Sequence, residues 1–436
     1  MGQGAQGVRP QVSNSHAQRS HLLLFTGVFP YGSGEAFLEP EIPHLARAFR
    51  TVTVVPRHAS GSARPLPPNV QVDDTLAQLH RPRGRRNRPR ALALCMSSRH
   101  LYGELLRRPI TLLQLPAADH LLGHLAAALR MRRWLEDRIE GGAVDPATTV
   151  CYCYWLWVEA VGAGMVRERY PELRVISRAH GFDLYQERHS PPYIALQHFA
   201  VRSANRVLAV SQSGRDHLAR LYPGEAKRLG IARLGTAEPE GVSAASTDGV
   251  LRVLTCARLE DVKRPELMVR SLAAFARRWP GQPVEWTHFG DGTLAEGVRN
   301  AAESMLPDSV RWRLAGEVPN ADVRGHYLSS PVDLLLSTSS SEGVPVSMME
   351  AQSFGVPVVG TAVGGVPEIV SPATGMLLPP DAEPDDFAAA MKTFVPPSDG
   401  AACMREAARE QWLARYRADE NFPRFADTLK GEGTGD

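Results

Sequence analysis

Apolar residues in this chain come in short runs, and between the runs they recur every three or four positions. The first pattern suits a strand, the second a helix with one buried face. Their alternation predicts βαβ units, because a parallel neighbour is reached only by a crossover that returns the chain to the same sheet edge. Strands are expected at 21–26, 51–56, 148–154, 174–178 and 206–211, then at 251–257, 284–289, 310–314, 332–337 and 356–361. Several runs, such as Leu22 through Phe25, are apolar at every position, which predicts strands covered on both faces. Between the two sets lies TAEPEGVSAASTDG at 236–249, poor in large apolar residues and therefore a linker. The expected fold class is α/β, with two Rossmann-like, doubly wound domains. The expected divisions are a disordered tail at 1–20, a first domain at 21–235, the linker at 236–249, a second domain at 250–403, and a helix with a tail at 404–436. Trp412, Tyr416 and Phe422 give that last helical stretch an apolar side that suits packing across the domain boundary.

Composition adjusts this picture only slightly. A chain of 436 residues is long enough for two cores, and 43% apolar with 22% charged residues is ordinary for folded protein. The net charge of +2 implies no nucleic-acid partner. The five cysteines show no metal-ligand spacing and read as free thiols in a reducing compartment, and no cofactor or metal is expected. Residues 1–20 lack the apolar run of a signal peptide, and no stretch of about 18 apolar residues predicts a membrane span. Cytoplasmic location is the expectation. One segment stands apart: HRPRGRRNRPR at 80–90, with its arginines from Arg81 to Arg90, reads equally well as a solvated loop or as a contact for anionic lipid at a membrane's inner face.

The densest chemistry lies at 337–369, STSSSEGVPVSMMEAQSFGVPVVGTAVGGVPEI. A strand ends near Ser337, Pro345 suits the first helical position, and Gly355 with Pro357 stops the helix near Phe354. Glu342 then precedes a helix N-terminus, and Glu350 stands on the helix roughly 7 Å beyond Pro345 at about 1.5 Å per residue. First-turn amides at Val346 and Ser347 suit a phosphate. Carboxylates on either side suit hydroxyl-rich groups, Glu350 a ribose and Glu342 a hexose. Either glutamate alone would read as a solvated residue; together with the proline, the helix stop and the glycine turn at Gly364 and Gly365, they read as a site at the carboxyl edge of an open sheet.

This segment resembles the signature of family 4 retaining glycosyltransferases, in which two glutamates eight positions apart flank a donor-binding helix. The resemblance implies a GT-B fold, with Glu342 on the donor sugar and Glu350 on the nucleotide ribose. Many members carry glycine where Pro345 stands. TCARLEDVKR at 255–264 resembles the family's paired cations for the donor phosphates, here Arg258 and Lys263, although Arg264 replaces the usual glycine. Gly290 and Gly292 in FGDG resemble a turn bordering the donor, and 315–319 the stretch that reads the nucleobase. In RAHGFD, His180 matches the histidine that faces the sugar across the cleft, with Asp183 orienting its loop. Gly32, Gly34 and Glu35 in GVFPYGSGE match a loop between donor and acceptor, and FPYGSGEAFLEPEI resembles transferases that build bacterial surface polysaccharides.

The resemblance implies a retaining hexosyltransferase using a nucleoside-diphosphate sugar and a glycan, lipid-linked or small-molecule acceptor. Two rivals share the architecture, a sugar-nucleotide epimerase and a protein that binds nucleotide sugars without chemistry.

Overall fold

The computed structural model describes residues 19–32, 34–80, 88–109 and 114–432. The tail expected over 1–20 therefore lies outside the described residues except at its last two positions. Most of the basic run does too, since 81–87 are not described.

Two parallel sheets carry the fold. The first contains β1 (His21–Thr26), β2 (Thr51–Pro56), β3 (Val70–Val72), β4 (Thr149–Cys153), β5 (Arg174–Ala179), β6 (Arg206–Ala209) and β7 (Leu229–Ile231), in the order β3-β2-β1-β4-β5-β6-β7. The second contains β8 (Leu251–Cys256), β9 (Val284–Phe289), β10 (Val310–Leu314), β11 (Leu334–Ser337), β12 (Val358–Thr361) and β13 (Gly375–Leu378), in the order β10-β9-β8-β11-β12-β13. Every expected strand forms, within a few residues at the ends. The strands missing from the expectation, β3, β7 and β13, are three or four residues long. That is too short for a periodic signal. The linker region 236–249 contains no helix and no named strand between the sheets.

Both sheets reverse their strand order once, between β1 and β4 and between β8 and β11. The chains leaving the strands diverge there, and a crevice opens at the carboxyl edge. Helices cover both faces. The longest, Leu115–Glu140, buries Leu121, Leu125, Leu129, Trp134 and Leu135 in the core of the first domain. Cys151 and Cys153 share one buried face of β4, and no disulfide forms among the described residues.

The chain ends by returning. Helix Asp399–Arg415 packs on the second domain, where Trp412 Nε1 donates to Thr236 Oγ1 at 2.7 Å. Helix Ala418–Lys430 then crosses to the first domain, and its Phe425, Ala426 and Leu429 join a core with Leu22, Val52 and Tyr152. Arg178 of β5 lies against that helix, its guanidinium 4.0 Å from the Phe425 ring centre. Its fully buried charge is matched by Glu41 at 2.6 Å.

Candidate active site

Lys263 and Glu342 are 79 residues apart, yet Lys263 Nζ lies 2.5 Å from Glu342 Oε1. Topology explains the meeting. Lys263 follows β8 and Glu342 follows β11, neighbouring strands at the point where the order reverses. Ser339 Oγ donates to the same Glu342 oxygen at 2.6 Å, and the glutamate is 7% exposed. Its loop is closed by Gly364, whose φ of 54° is left-handed and whose added Cβ would lie 1.9 Å from the Glu342 carbonyl oxygen. Only glycine fits so close an approach.

Pro345 caps the following helix from outside, rather than occupying its first position; the helix runs over Val346–Ser353. The amides of Val346 and Ser347 still open that helix, where they have no carbonyl one turn back to pair with. Glu350 is buried on the inner side of the helix. Burial holds its carboxyl above the usual carboxylate range, opposed by the Asn320 side chain and by Arg324. Asn320 Nδ2 donates to both carboxylate oxygens, at 2.9 and 3.2 Å. Gly290 and Gly292 flank Asp291 at the end of β9, and a Cβ on Gly290 would meet the Ala257 carbonyl oxygen at 1.9 Å. Arg258 sits apart from this cluster: its side chain is 80% exposed and pairs with Glu260 at 3.0 Å.

From the first domain, His180 follows β5. Its ring stacks on Tyr154 at 4.5 Å and lies 4.6 Å from Trp155. Asp183 fixes the loop by accepting from the His180 amide at 2.8 Å and from the Leu156 amide at 2.7 Å. Neither ring nitrogen of His180 has a hydrogen-bond partner among the described residues, although both are buried. Asp183 Oδ2 lies 3.7 Å from Nδ1, beyond hydrogen-bond reach. Unpaired buried nitrogens are costly, so they mark a place for a polar ligand or water. A Cβ on Gly343 would lie 3.2 Å from the His180 carbonyl, so the histidine loop and the Glu342 loop meet across the domains.

Glu35, expected in a loop between donor and acceptor, turns its carboxylate inward onto that loop's own amides. Its Oε1 accepts from the Gly27 amide at 2.9 Å, and its Oε2 accepts from the Val28 and Phe29 amides at 2.6 and 2.7 Å. The Trp155 indole also donates to it. The carboxylate therefore ties the β1 loop to the ring that packs on His180. Gly32 and Gly34 shape the outer loop, and Arg64 donates to both of their carbonyls, at 2.7 and 2.8 Å.

Three contributors had no sequence signal of their own. Asn320 is an ordinary polar residue at a helix start, and Ser339 one of several loop serines. Arg188 crosses the domain seam, donating from Nε to Ser341 Oγ at 2.6 Å. No spacing in the sequence links residues 153 positions apart.

Comparison with known proteins bears on the fold and on the second domain. Residues 251–395 match the family model described as glycosyl transferases group 1. The chain is 28% identical over 172 residues to the amylovoran biosynthesis glycosyltransferase AmsK of Erwinia amylovora, covering 38% of this chain and 41% of that protein. It is 26% identical over 233 residues to the putative colanic acid biosynthesis glycosyltransferase WcaL of Escherichia coli, covering 50% and 55%. The chain thus spans about half the length of the curated relatives it matches. Among solved structures, the apo lipopolysaccharide outer core galactosyltransferase WaaB aligns over 94% of this chain and 99% of its own, with TM-score 0.62 and 13% identity. Anabaena HepE in complex with UDP aligns over 94% and 100%, with TM-score 0.63 and 17% identity. The chain accordingly has the GT-B fold, and its residues 251–395 are similar to the group 1 glycosyl transferases.

Proposed function

We propose that the protein is a retaining glycosyltransferase that moves a hexose from a nucleoside-diphosphate sugar to a glycan, lipid-linked or small-molecule acceptor in the building of a polysaccharide or glycoconjugate. The observation that carries this reading is the convergence of Lys263, Glu342 and the open helix end at Val346 and Ser347 on one crevice, opposite the unpaired ring of His180.

Each group has a task. Lys263, with Arg258 swinging in from its exposed position, neutralises the diphosphate without a metal ion, and the helix amides hold one of its phosphates. Glu350, fixed by Asn320, holds the ribose hydroxyls. Glu342 orients the sugar, and His180 supports the positive charge that develops at the anomeric carbon. The bond from that carbon to the diphosphate oxygen breaks as the acceptor oxygen attacks from the same face, and the acceptor's proton passes to the departing phosphate oxygen. The protein's main work is then to stabilise charge on the leaving group through Lys263, Arg258 and the helix amides.

A solved relative's complexes with UDP and UDP-glucose make uridine nucleotide sugars the first donors to screen. Calorimetry of the Arg258→Ala/Lys263→Ala variant should show donor binding lost; unchanged affinity would remove both residues from the diphosphate. Donor incubated alone should stay unconverted apart from slow hydrolysis. Turnover to an epimer without acceptor would replace the transferase reading with an epimerase.

A further inference from the structure

Two adjoining cavities lie away from the crevice, on the flank of the first domain. One of about 440 Å³ is bordered by Arg107, Arg108, Gln186, His198 and Tyr222. A second of about 280 Å³ adjoins it, shares Arg107 and His198, and adds Arg99 and Arg202. None of the residues proposed to hold the sugar donor lines either one.

The charge around these cavities is unbalanced. The carboxylates present are already engaged. Glu104 accepts from Tyr193 Oη at 2.9 Å, Glu168 pairs with Arg99 at 2.5 Å, and Glu225 pairs with Arg228 at 3.1 Å. Arg107 and Arg202 have no carboxylate within ion-pair distance among the described residues. His198 senses the excess: its imidazole is held below the usual range by burial, then by Arg107 and Arg202, with Glu225 opposing. Such a pocket suits an anion with several oxygens, and a phosphate monoester or diester matches the guanidinium forks.

The same helix gives the ligand a second character. Within Arg99–Arg107, Tyr102 and Leu106 are one turn apart on one face, and they are 47% and 86% exposed. The basic positions Arg99 and Arg107 lie beside that face. A helix that shows apolar side chains to solvent next to arginines has the make-up of an interfacial element, in which the apolar groups enter the headgroup boundary while cations meet anionic lipid.

We propose that this double cavity takes the phosphate headgroup of an anionic membrane lipid, with Leu106 and Tyr102 seated in the interface, so that the first domain docks on a bilayer through this flank. Docking of this kind requires neither the transferase reading nor the undescribed basic segment.

Flotation of the full chain with vesicles tests it. Binding should be strong on phosphatidylcholine vesicles containing phosphatidylglycerol at low salt, weak on phosphatidylcholine alone, and reduced at high salt. Arg107→Ala/Arg202→Ala should lower partition about tenfold or more, given two cations near a charged surface. Leu106→Ser, at a position too exposed to affect folding, should lower it about fivefold with the melting temperature unchanged. Equal partition onto neutral and anionic vesicles would overturn the proposal, as would undiminished binding by either variant. So would protection against unfolding by inorganic phosphate together with no vesicle binding, which would make this a site for a soluble phosphate.

Discussion

At the residue scale, Glu342 and Glu350 have the same chemical group and opposite surroundings. Glu342 is held by a cation and a hydroxyl at the lip of the crevice. Glu350 is buried, held by a neutral amide, with its carboxyl raised by burial. Substituting each should therefore have a different effect. Glu350→Ala should weaken free nucleoside diphosphate and intact donor alike, by about tenfold or more, because a charge-assisted hydrogen bond contributes roughly 1.5–3 kcal/mol. Glu342→Ala should leave the free nucleotide within about threefold and weaken only the intact donor. Isothermal titration with both ligands checks this, and equal losses in both variants would overturn the division of labour.

At the element scale, the loops at the strand ends are built from their own hydrogen bonds before any ligand arrives. Glu35, itself in the left-handed region at φ 56°, closes the β1 loop by accepting three consecutive amides and the Trp155 indole. Glu35→Ala should leave those donors unpaired and cost about 2–4 kcal/mol, with hydrogen exchange at Gly27, Val28 and Phe29 accelerated first. Loss of activity without that local opening would show instead that the carboxylate acts on ligand. This loop also shows where reading a sequence stops. The glycines and the glutamate were legible as a loop at a sheet edge. The inward turn of the carboxylate was not, because its partners include an indole 120 residues away.

At the scale of the whole molecule, the last helix fastens the second domain to the first. Phe425 and Leu429 are buried in the first domain's core, and Phe425 carries Arg178 on its ring. Phe425→Ala should cost about 3–5 kcal/mol by denaturant titration, the usual penalty for emptying an aromatic site. A cost below about 1 kcal/mol would mean that the crossing is not a structural support. Stability should also depend on pH through buried imidazoles. Burial lowers His124 to about 3 and His288 to about 4. Unfolded, each titrates near about 6.5, so between that pH and the folded value the unfolded chain binds protons that the native state refuses. The stabilising share is complete above about pH 6.5 and falls as the pH drops toward 4, by about 2 kcal/mol per histidine at pH 5. His288→Gln should flatten the slope of unfolding free energy between pH 7 and pH 5 by about that amount. An unchanged slope would mean that the ring is charged in the native state.

The sequence by itself determined the two sheets and the helix bearing Glu350, because strand and helix formation are driven by local spacing of apolar side chains, and turn glycines and helix stops act within a few residues. It also marked Glu342, Lys263 and His180, just beyond strand ends, and Glu350 on its helix, positions that follow from the same local reading. The tertiary structure alone decided which of these meet. Strand order brought Lys263 to Glu342, crossing of the domain seam brought Arg188 to Ser341, and packing turned Glu35 inward and left Arg258 out in solvent. Those outcomes depend on which strands become neighbours and which surfaces are buried together, quantities set by the packing of the whole chain and by no segment of it.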